Sequence, residues 1–131
     1  AEAGLTRLDM KDVTRYPISE EIIVPAPGQA AIAVQTRDED GELQTLLQQI
    51  HDAKTEREVT IERSLLKRLG GGCALPLGCV CHIDGEMAEL RVFYANASGT
   101  EHYLATHRTP LSDIDTLLSQ LIEHLQHITT A

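Results

Sequence analysis

Aromatic residues are almost absent from this chain of 131 residues, which contains no tryptophan, one phenylalanine and three tyrosines. Hydrophobic residues nevertheless make up 42% of the chain, so a core must consist mainly of leucine, isoleucine, valine and alanine. That hydrophobic fraction argues against compositional disorder. The length and composition together predict an ordinary globular protein of domain size.

Long apolar runs and basic clusters are lacking as well. No stretch approaches the roughly 18 apolar residues of a membrane-spanning helix, so we expect no membrane partner. The 11 lysines and arginines are outnumbered by 20 acidic residues, giving a net charge of −9, and they form no cluster that would bind nucleic acid. Three cysteines, an odd number, argue against a disulfide framework and favour a reducing, cytoplasmic location.

Regular periodicity begins near residue 38 and predicts two helices, three strands and a further helix. The first predicted helix lies near 41–52. The second begins at a capping box, Thr55 and Glu58, and runs to Gly70, and the third begins at Thr109-Pro110. The predicted strands lie at 76–83, 88–94 and 101–108, with an Asp84-Gly85 hairpin between the first two. We therefore expect an α+β domain over 39–131, with helices on one face of a three-stranded antiparallel sheet.

Residues 1–38 contain structural pieces without a core of their own. They begin as though inside a helix, so we expect part of a longer protein. Residues 22–35 predict an extended run, a Pro/Gly turn and then an apolar strand at 30–36. Because no neighbouring segment could pair with that strand, we expect it to be exposed and prone to self-association between chains.

The most distinctive segment is Gly70-Gly71-Gly72-Cys73-Ala74-Leu75-Pro76-Leu77-Gly78, which directly follows a predicted helix. Three glycines exceed the one that a helix end needs, and they open the backbone around the thiol to a bulky group. The preceding helix C-terminus disfavours a thiolate, which argues against a fast redox nucleophile. The pattern fits a thiol that is alkylated once and stays attached, and it also fits a small buried cysteine.

A zinc site is an alternative use of these cysteines, because Cys73, Cys79, Cys81 and His82 are close in the sequence. Their spacing lacks the Cys-x2-Cys pairs that close a zinc knuckle. Cys79 and Cys81 lie two apart in a predicted strand and so on the same face of a sheet. Core cysteines, with no metal, are therefore the favoured interpretation.

Gly28 and Gln29 form the second candidate site, in a Pro/Gly turn before the predicted apolar strand. Such a turn lets backbone amides approach a ligand, and the glutamine adds a donor and an acceptor. A plain turn into a buried strand explains the same residues. Elsewhere, His124 and His127 are expected to be solvated, and the acidic run 38–40 to precede or cap a helix.

Several motifs resemble, in order, those of the hydroxymethylbilane synthase (porphobilinogen deaminase) family. They are Ala3-Gly4-Leu5-x-Arg7-Leu8, Pro25-Ala26-x-Gly28-Gln29-x-Ala31 with Arg37, Glu62-Arg63-x-x-Leu66, Leu69-x-Gly71-Gly72-Cys73-x-x-Pro76-x-Gly78 and Ile83-Asp84-Gly85-x4-Leu90. The resemblance covers nearly the whole chain. Two positions depart from it, because Ala30 replaces a turn glycine and Gly70 replaces a residue that usually carries a side chain.

The resemblance implies a transferase of tetrapyrrole (haem) biosynthesis that condenses four porphobilinogen molecules into hydroxymethylbilane and releases ammonia. It implies a dipyrromethane cofactor on Cys73 through a thioether, with room provided by Gly71 and Gly72. Gly28 and Gln29 would line the pyrrole pocket, and Arg63 would lie near the cofactor loop. Residues 1–38 would be remnants of the family's second and first domains, and 39–131 would be its cofactor-bearing third domain.

The family's catalytic aspartate and its basic substrate-binding residues have no counterpart in this sequence. We therefore expect no catalytic residue here, no activity of this chain alone, and a free Cys73 thiol without cofactor. The whole enzyme is expected to be a monomer. The alternative is a non-catalytic α+β ligand-binding or regulatory module. The element order also resembles double-stranded RNA-binding domains, but the acidic charge argues against RNA binding.

Overall fold

The computed structural model describes residues 2–70, 72 and 74–129, the last of these by its backbone only. Its helices are α1 (Glu2–Arg7), α2 (Gly41–Leu47), α3 (Ala53–Arg68) and α4 (Ile114–Thr129), and its strands are β1 (Leu77–Asp84), β2 (Met87–Ala95) and β3 (His102–Pro110). Short 3-10 turns at Gln48–Ile50 and Leu111–Asp113 follow α2 and precede α4. The predicted α+β class is confirmed.

The three strands form one antiparallel sheet in the order β1-β2-β3. Cys81 lies opposite Leu90, which in turn lies opposite His107. The predicted hairpin is confirmed, with Gly85 and Glu86 as its loop residues because Asp84 pairs with Met87. Gly85 has φ +57°, a left-handed conformation that glycine adopts without steric cost.

One face of the sheet and two helices make the core. Alternate strand residues point inward, and α3 and α4 contribute apolar residues at helical spacing. The buried cluster consists of Ile61, Leu65, Leu77, Cys79, Cys81, Ile83, Ala88, Leu90, Val92, Tyr94, Leu118, Leu121 and Leu125. Aliphatic side chains thus fill most of the core, as the scarcity of aromatic residues predicts.

One predicted helix start is wrong, and a second is displaced by one residue. α3 begins after Asp52, whose carboxylate accepts the Thr55 N–H at 2.8 Å, so Asp52 and not Thr55 is the N-cap. Hydrogen bonds from the Thr55 backbone and side chain lower the pKa of Asp52. Pro110 ends β3 opposite Met87, which an edge strand tolerates, and it is the N-cap of the 3-10 turn that leads into α4 and not the first helical residue. The acidic run behaves as predicted, with Asp40 capping α2 through the Leu43 N–H at 3.2 Å.

The strand predicted at 30–36 is absent from the structure. Residues 31–37 have no regular secondary structure, and Ile32 is 94% exposed. The composition of this segment suits a buried strand, but the described part of the chain gives it no strand to pair with. A strand needs that partner because its backbone donors and acceptors are satisfied by a neighbour.

Candidate functional site

The turn that contains Gly28 packs against α3 and β1, far from it in sequence. In this Gly28 turn (residues 25–30), the Gly28 N–H donates to Glu62 Oε2 at 2.6 Å. The Pro25 carbonyl accepts the Cys79 N–H at 2.8 Å. A Cβ atom on Gly28 would lie 3.7 Å from Val59 Cγ1 on α3. Contacts with both a helix and a strand therefore hold the turn in place.

Glu62 connects this turn to the sheet. Its other oxygen, Oε1, accepts the Cys81 N–H at 2.9 Å, and the side chain lies on the buried face of α3 with a residue exposure of 6%. Burial raises the pKa of Glu62, and nearby Glu58 raises it further. The hydrogen bonds from Gly28 and Cys81 and the proximity of His82 only partly oppose this shift.

Side chains and a turn cover the outer edge of β1. The N–H groups of Cys79, Cys81 and Ile83 point away from β2 and donate, in order, to the Pro25 carbonyl, Glu62 and Glu58. The Ile83–Glu58 bond is 2.7 Å long. An edge strand normally exposes such donors, so these acceptors satisfy groups that would otherwise invite another strand.

Gly78 permits the close approach of the chain before the Gly28 turn. It lies in β1, and a Cβ atom there would be 2.6 Å from the Val24 carbonyl oxygen. Glycine inside a strand often marks such an approach of another backbone. The Leu-Pro-Leu-Gly sequence is therefore only in part a turn, because its glycine belongs to the strand.

Residues 20 and 21, just before the Gly28 turn, make polar contacts with the outer face of the sheet. Glu20 pairs with His82 on β1 at 2.5 Å. Arg91 on β2 donates to the Glu21 carbonyl at 2.7 Å and to Thr106 Oγ1 on β3 at 2.9 Å. Residues 20–28 thus contact α3, β1 and β2.

The glycine run after α3 has more than one role. Gly70 has φ +72°, and its N–H donates to the Lys67 carbonyl at 3.1 Å, so it terminates the helix. Gly72 is exposed, and a Cβ atom there would meet nothing within 4 Å. The predicted site residues Gly71 and Cys73 lie outside the described residues.

The remaining predicted site residues, Gln29 and Arg63, directly follow the two partners of the Gly28–Glu62 hydrogen bond in the sequence. Gln29 is exposed at the tip of the Gly28 turn, and its N–H donates to the Ala26 carbonyl at 3.0 Å. Arg63 is exposed on α3 and forms no ion pair with any residue that the structure describes. At 1.5 Å per residue, Arg63 lies about 10 Å along the helix from Gly70. The fold therefore brings Gly28 and Gln29 to α3, the helix that carries Arg63 and precedes the glycine-rich sequence.

Comparisons with known proteins match both parts of this arrangement. The family model "Porphobilinogen deaminase, C-terminal domain" matches residues 56–115, and "Porphobilinogen deaminase, dipyromethane cofactor binding domain" matches residues 1–45. The chain belongs to the porphobilinogen deaminase family. The curated porphobilinogen deaminase of Oceanobacillus iheyensis is 37% identical over 102 residues, which are 76% of this chain and 33% of that relative. The chain thus spans about a third of the length of the curated relative it matches.

Two of the three cysteines are core residues. Cys79 and Cys81 are free and buried, so both lie in the core as predicted. Burial, and then the neighbouring Glu62 carboxylate, raises the pKa of Cys81 to about 12, and the pKa of Cys79 is raised for the same reasons. Neither thiol is available as a nucleophile near neutral pH.

Sequence reasoning missed two polar arrangements. Glu62 was noted only as part of a motif, although a glutamate beside Ile61 and Leu65 on an apolar helix face signals a buried carboxylate. His124 is exposed as predicted, but its ring packs on Tyr103 with centroids 5.1 Å apart. The Tyr103 hydroxyl also lies 2.6 Å from His107 Nε2, and burial raises the pKa of Tyr103 and lowers that of His107.

Among the described residues, no helix has both the length and the apolar character needed to cross a bilayer.

Ala30 occupies a strained position where the family pattern has glycine. Its φ of +67° is left-handed, which costs alanine roughly 1–2 kcal/mol. We expect Ala30→Gly to raise the free energy of unfolding by up to about 1 kcal/mol, since the flexibility of glycine in the unfolded chain offsets roughly 0.5–1 kcal/mol. Urea denaturation of both proteins measures the difference.

Ala31→Gly is the control, because Ala31 is not among the residues with positive φ. This neighbouring substitution should lower stability slightly. Equal losses in the two variants would contradict the strain at Ala30.

Proposed function

We propose that this chain is the C-terminal part of an enzyme that condenses four porphobilinogen molecules into hydroxymethylbilane with release of ammonia. The observation that carries the proposal is the Gly28–Glu62 hydrogen bond. It joins the two regions matched by the porphobilinogen deaminase models and puts the Gly28 turn against α3, the helix that precedes the Gly70-Gly71-Gly72-Cys73 sequence. The proposed site thus has the turn on one side and that sequence on the other.

Cys73 is the proposed attachment point of the dipyrromethane cofactor, through a thioether. Support comes from the other two thiols, because Cys79 and Cys81 are buried and hold their protons tightly. Open space beside Gly72 leaves room for a pyrrole, and exposed Arg63 offers a cation to pyrrole carboxylates. When bound, the cofactor supplies the pyrrole end to which the first substrate is joined. Gly28, Gln29 and Gly71 are proposed to line the same site.

The catalytic carboxylate and the bulk of the positive charge are proposed to belong to other parts of the whole enzyme. A net charge of −9 repels a polycarboxylate substrate, so this chain alone is expected to show no turnover. It is also expected to carry a free Cys73, because assembly of the cofactor would need the other parts of the enzyme. We propose a cytoplasmic location and a monomeric whole enzyme. Self-association of this chain through residues 30–36 stays a prediction, to which the exposure of Ile32 gives some support.

The test is substitution of Cys73 in the whole enzyme. Cys73→Ser is expected to abolish porphobilinogen turnover and to remove a dipyrrole-sized adduct from the intact mass, because serine forms no thioether. Cys79→Ala is the matched control, since it removes a buried thiol in the adjacent strand and should leave the adduct in place. Turnover by the Cys73→Ser enzyme would refute the proposal, and so would loss of the adduct in the control alone.

A further inference from the structure

The carboxylate of Glu62 joins the Gly28 turn, α3 and β1 through one side chain. Its two oxygens accept N–H groups from the Gly28 turn at 2.6 Å and from Cys81 on β1 at 2.9 Å, while its backbone belongs to α3. We call this pair of hydrogen bonds the Glu62 bridge. Hydrogen bonds to an ionised group are among the stronger ones in proteins, and here the bond to Cys81 is buried and the bond to Gly28 is partly buried.

We propose that Glu62 is a positioning residue that fixes the Gly28 turn, and with it Gln29, against the helix that leads into the cofactor loop. Apolar contact holds the tip of the turn only weakly, because Ala26, Gln29 and Ala30 are exposed, Gly28 has no side chain, and the two prolines are half-buried. The carboxylate is the polar group of α3 that reaches it. That Gln29 then faces a pyrrole rests on the proposed function, whereas the bridge itself does not.

Glu58 provides a built-in comparison one turn earlier on α3. Its carboxylate accepts the Ile83 N–H at 2.7 Å and also lies near Lys54, but it does not bond to the Gly28 turn. Both glutamates therefore cover the edge of β1, and only Glu62 also holds the turn. Substituting each with glutamine therefore distinguishes the contact with the Gly28 turn, which Glu62 makes, from the contact with the edge of β1, which both glutamates make.

The experiment is amide hydrogen exchange, followed by NMR, on this chain and two variants. Glu62→Gln keeps the shape but removes the negative charge and replaces one acceptor oxygen with a donor, so both N–H groups lose a charge-assisted bond and one of them loses its acceptor. We expect exchange at Gly28 and Gln29 to accelerate at least about tenfold in Glu62→Gln and to stay unchanged in Glu58→Gln. Unchanged exchange at Gly28 in Glu62→Gln, or equal acceleration in Glu58→Gln, would overturn the proposal.

A pH titration of the unsubstituted chain provides a second test that requires no variant to fold. The Gly28 and Cys81 amide shifts should follow the Glu62 carboxyl carbon with one common midpoint, above the about 4.3 of an ordinary glutamate. The other titratable groups facing Glu62 are Glu58 on α3, and Cys79, Cys81 and His82 on β1. Separate midpoints for the two amides would overturn the bridge.

Neither measurement uses porphobilinogen, so a failure of the bridge is distinguishable from a failure of the proposed function. In the whole enzyme, Glu62→Gln is expected to raise KM for porphobilinogen several-fold more than it lowers kcat, because the substituted residue positions the pocket without touching the reacting atoms. An intact bridge with unaltered kinetics would leave the bridge standing and contradict the role of Gln29.

Discussion

Replacing Leu65 with alanine is expected to lower the free energy of unfolding by about 2–5 kcal/mol, the largest loss from any single truncation considered for this chain. Leu65 is fully buried on α3 and belongs to the cluster that joins both helices to the inward face of the sheet. Its removal costs the transfer free energy of the lost atoms and leaves a cavity that the aliphatic neighbours only partly fill. Urea denaturation followed by circular dichroism measures the loss.

Leu46→Ala is the matched control, because it makes the same chemical change at a helical position that is 58% exposed. Its effect should stay within about 0.5 kcal/mol. Similar losses in the two variants would show that the core does not lie where α3 meets the sheet.

Gly78→Ala is expected to displace the segment that approaches β1. The new Cβ would lie 2.6 Å from the Val24 carbonyl oxygen and 3.0 Å from Val24 Cβ, so either the strand or the segment must move. Overpacking of this kind costs roughly 1–3 kcal/mol. Because β1 is fastened along β2, we expect the segment to yield, with loss of the 2.8 Å bond between the Cys79 N–H and the Pro25 carbonyl.

Amide exchange at Cys79 and denaturation together test this expectation. Exchange at Cys79 should accelerate while amides of β2 stay protected. Gly72→Ala is the control, since open space surrounds that glycine and its φ is not left-handed. A Cys79 amide that stays protected in Gly78→Ala would contradict the displacement.

The sheet and its helices could be predicted because their signals are local. Alternation from Ala88 to Tyr94 identifies the inward face of β2, and the loop at Gly85 determines where the neighbouring strand returns. The helix start at Asp52 was harder, because Asp52 and Thr55 are both suitable caps three residues apart. Pattern alone does not decide between two good caps.

The candidate site depends on contacts that sequence spacing does not encode. Gly28 and Glu62 are 34 residues apart, and no periodicity indicates that one should donate to the other. The composition of residues 30–36 correctly indicates an apolar segment, but strand formation depends on a partner, and none lies among the described residues. A motif comparison found the participating residues, and only the fold showed Glu62 between them.

The carboxylates along β1 determine at which edge of the sheet a further strand can be added. The N–H groups on the outer edge of β1 already donate to Glu58, Glu62 and the Pro25 carbonyl. A strand from another molecule would have to displace these acceptors before it could pair with β1. β3, at the other end of the order β1-β2-β3, has no described strand beyond it. An added strand, whether from a partner domain or from a second molecule, would therefore extend the sheet beside β3 and leave the Gly28 turn undisturbed.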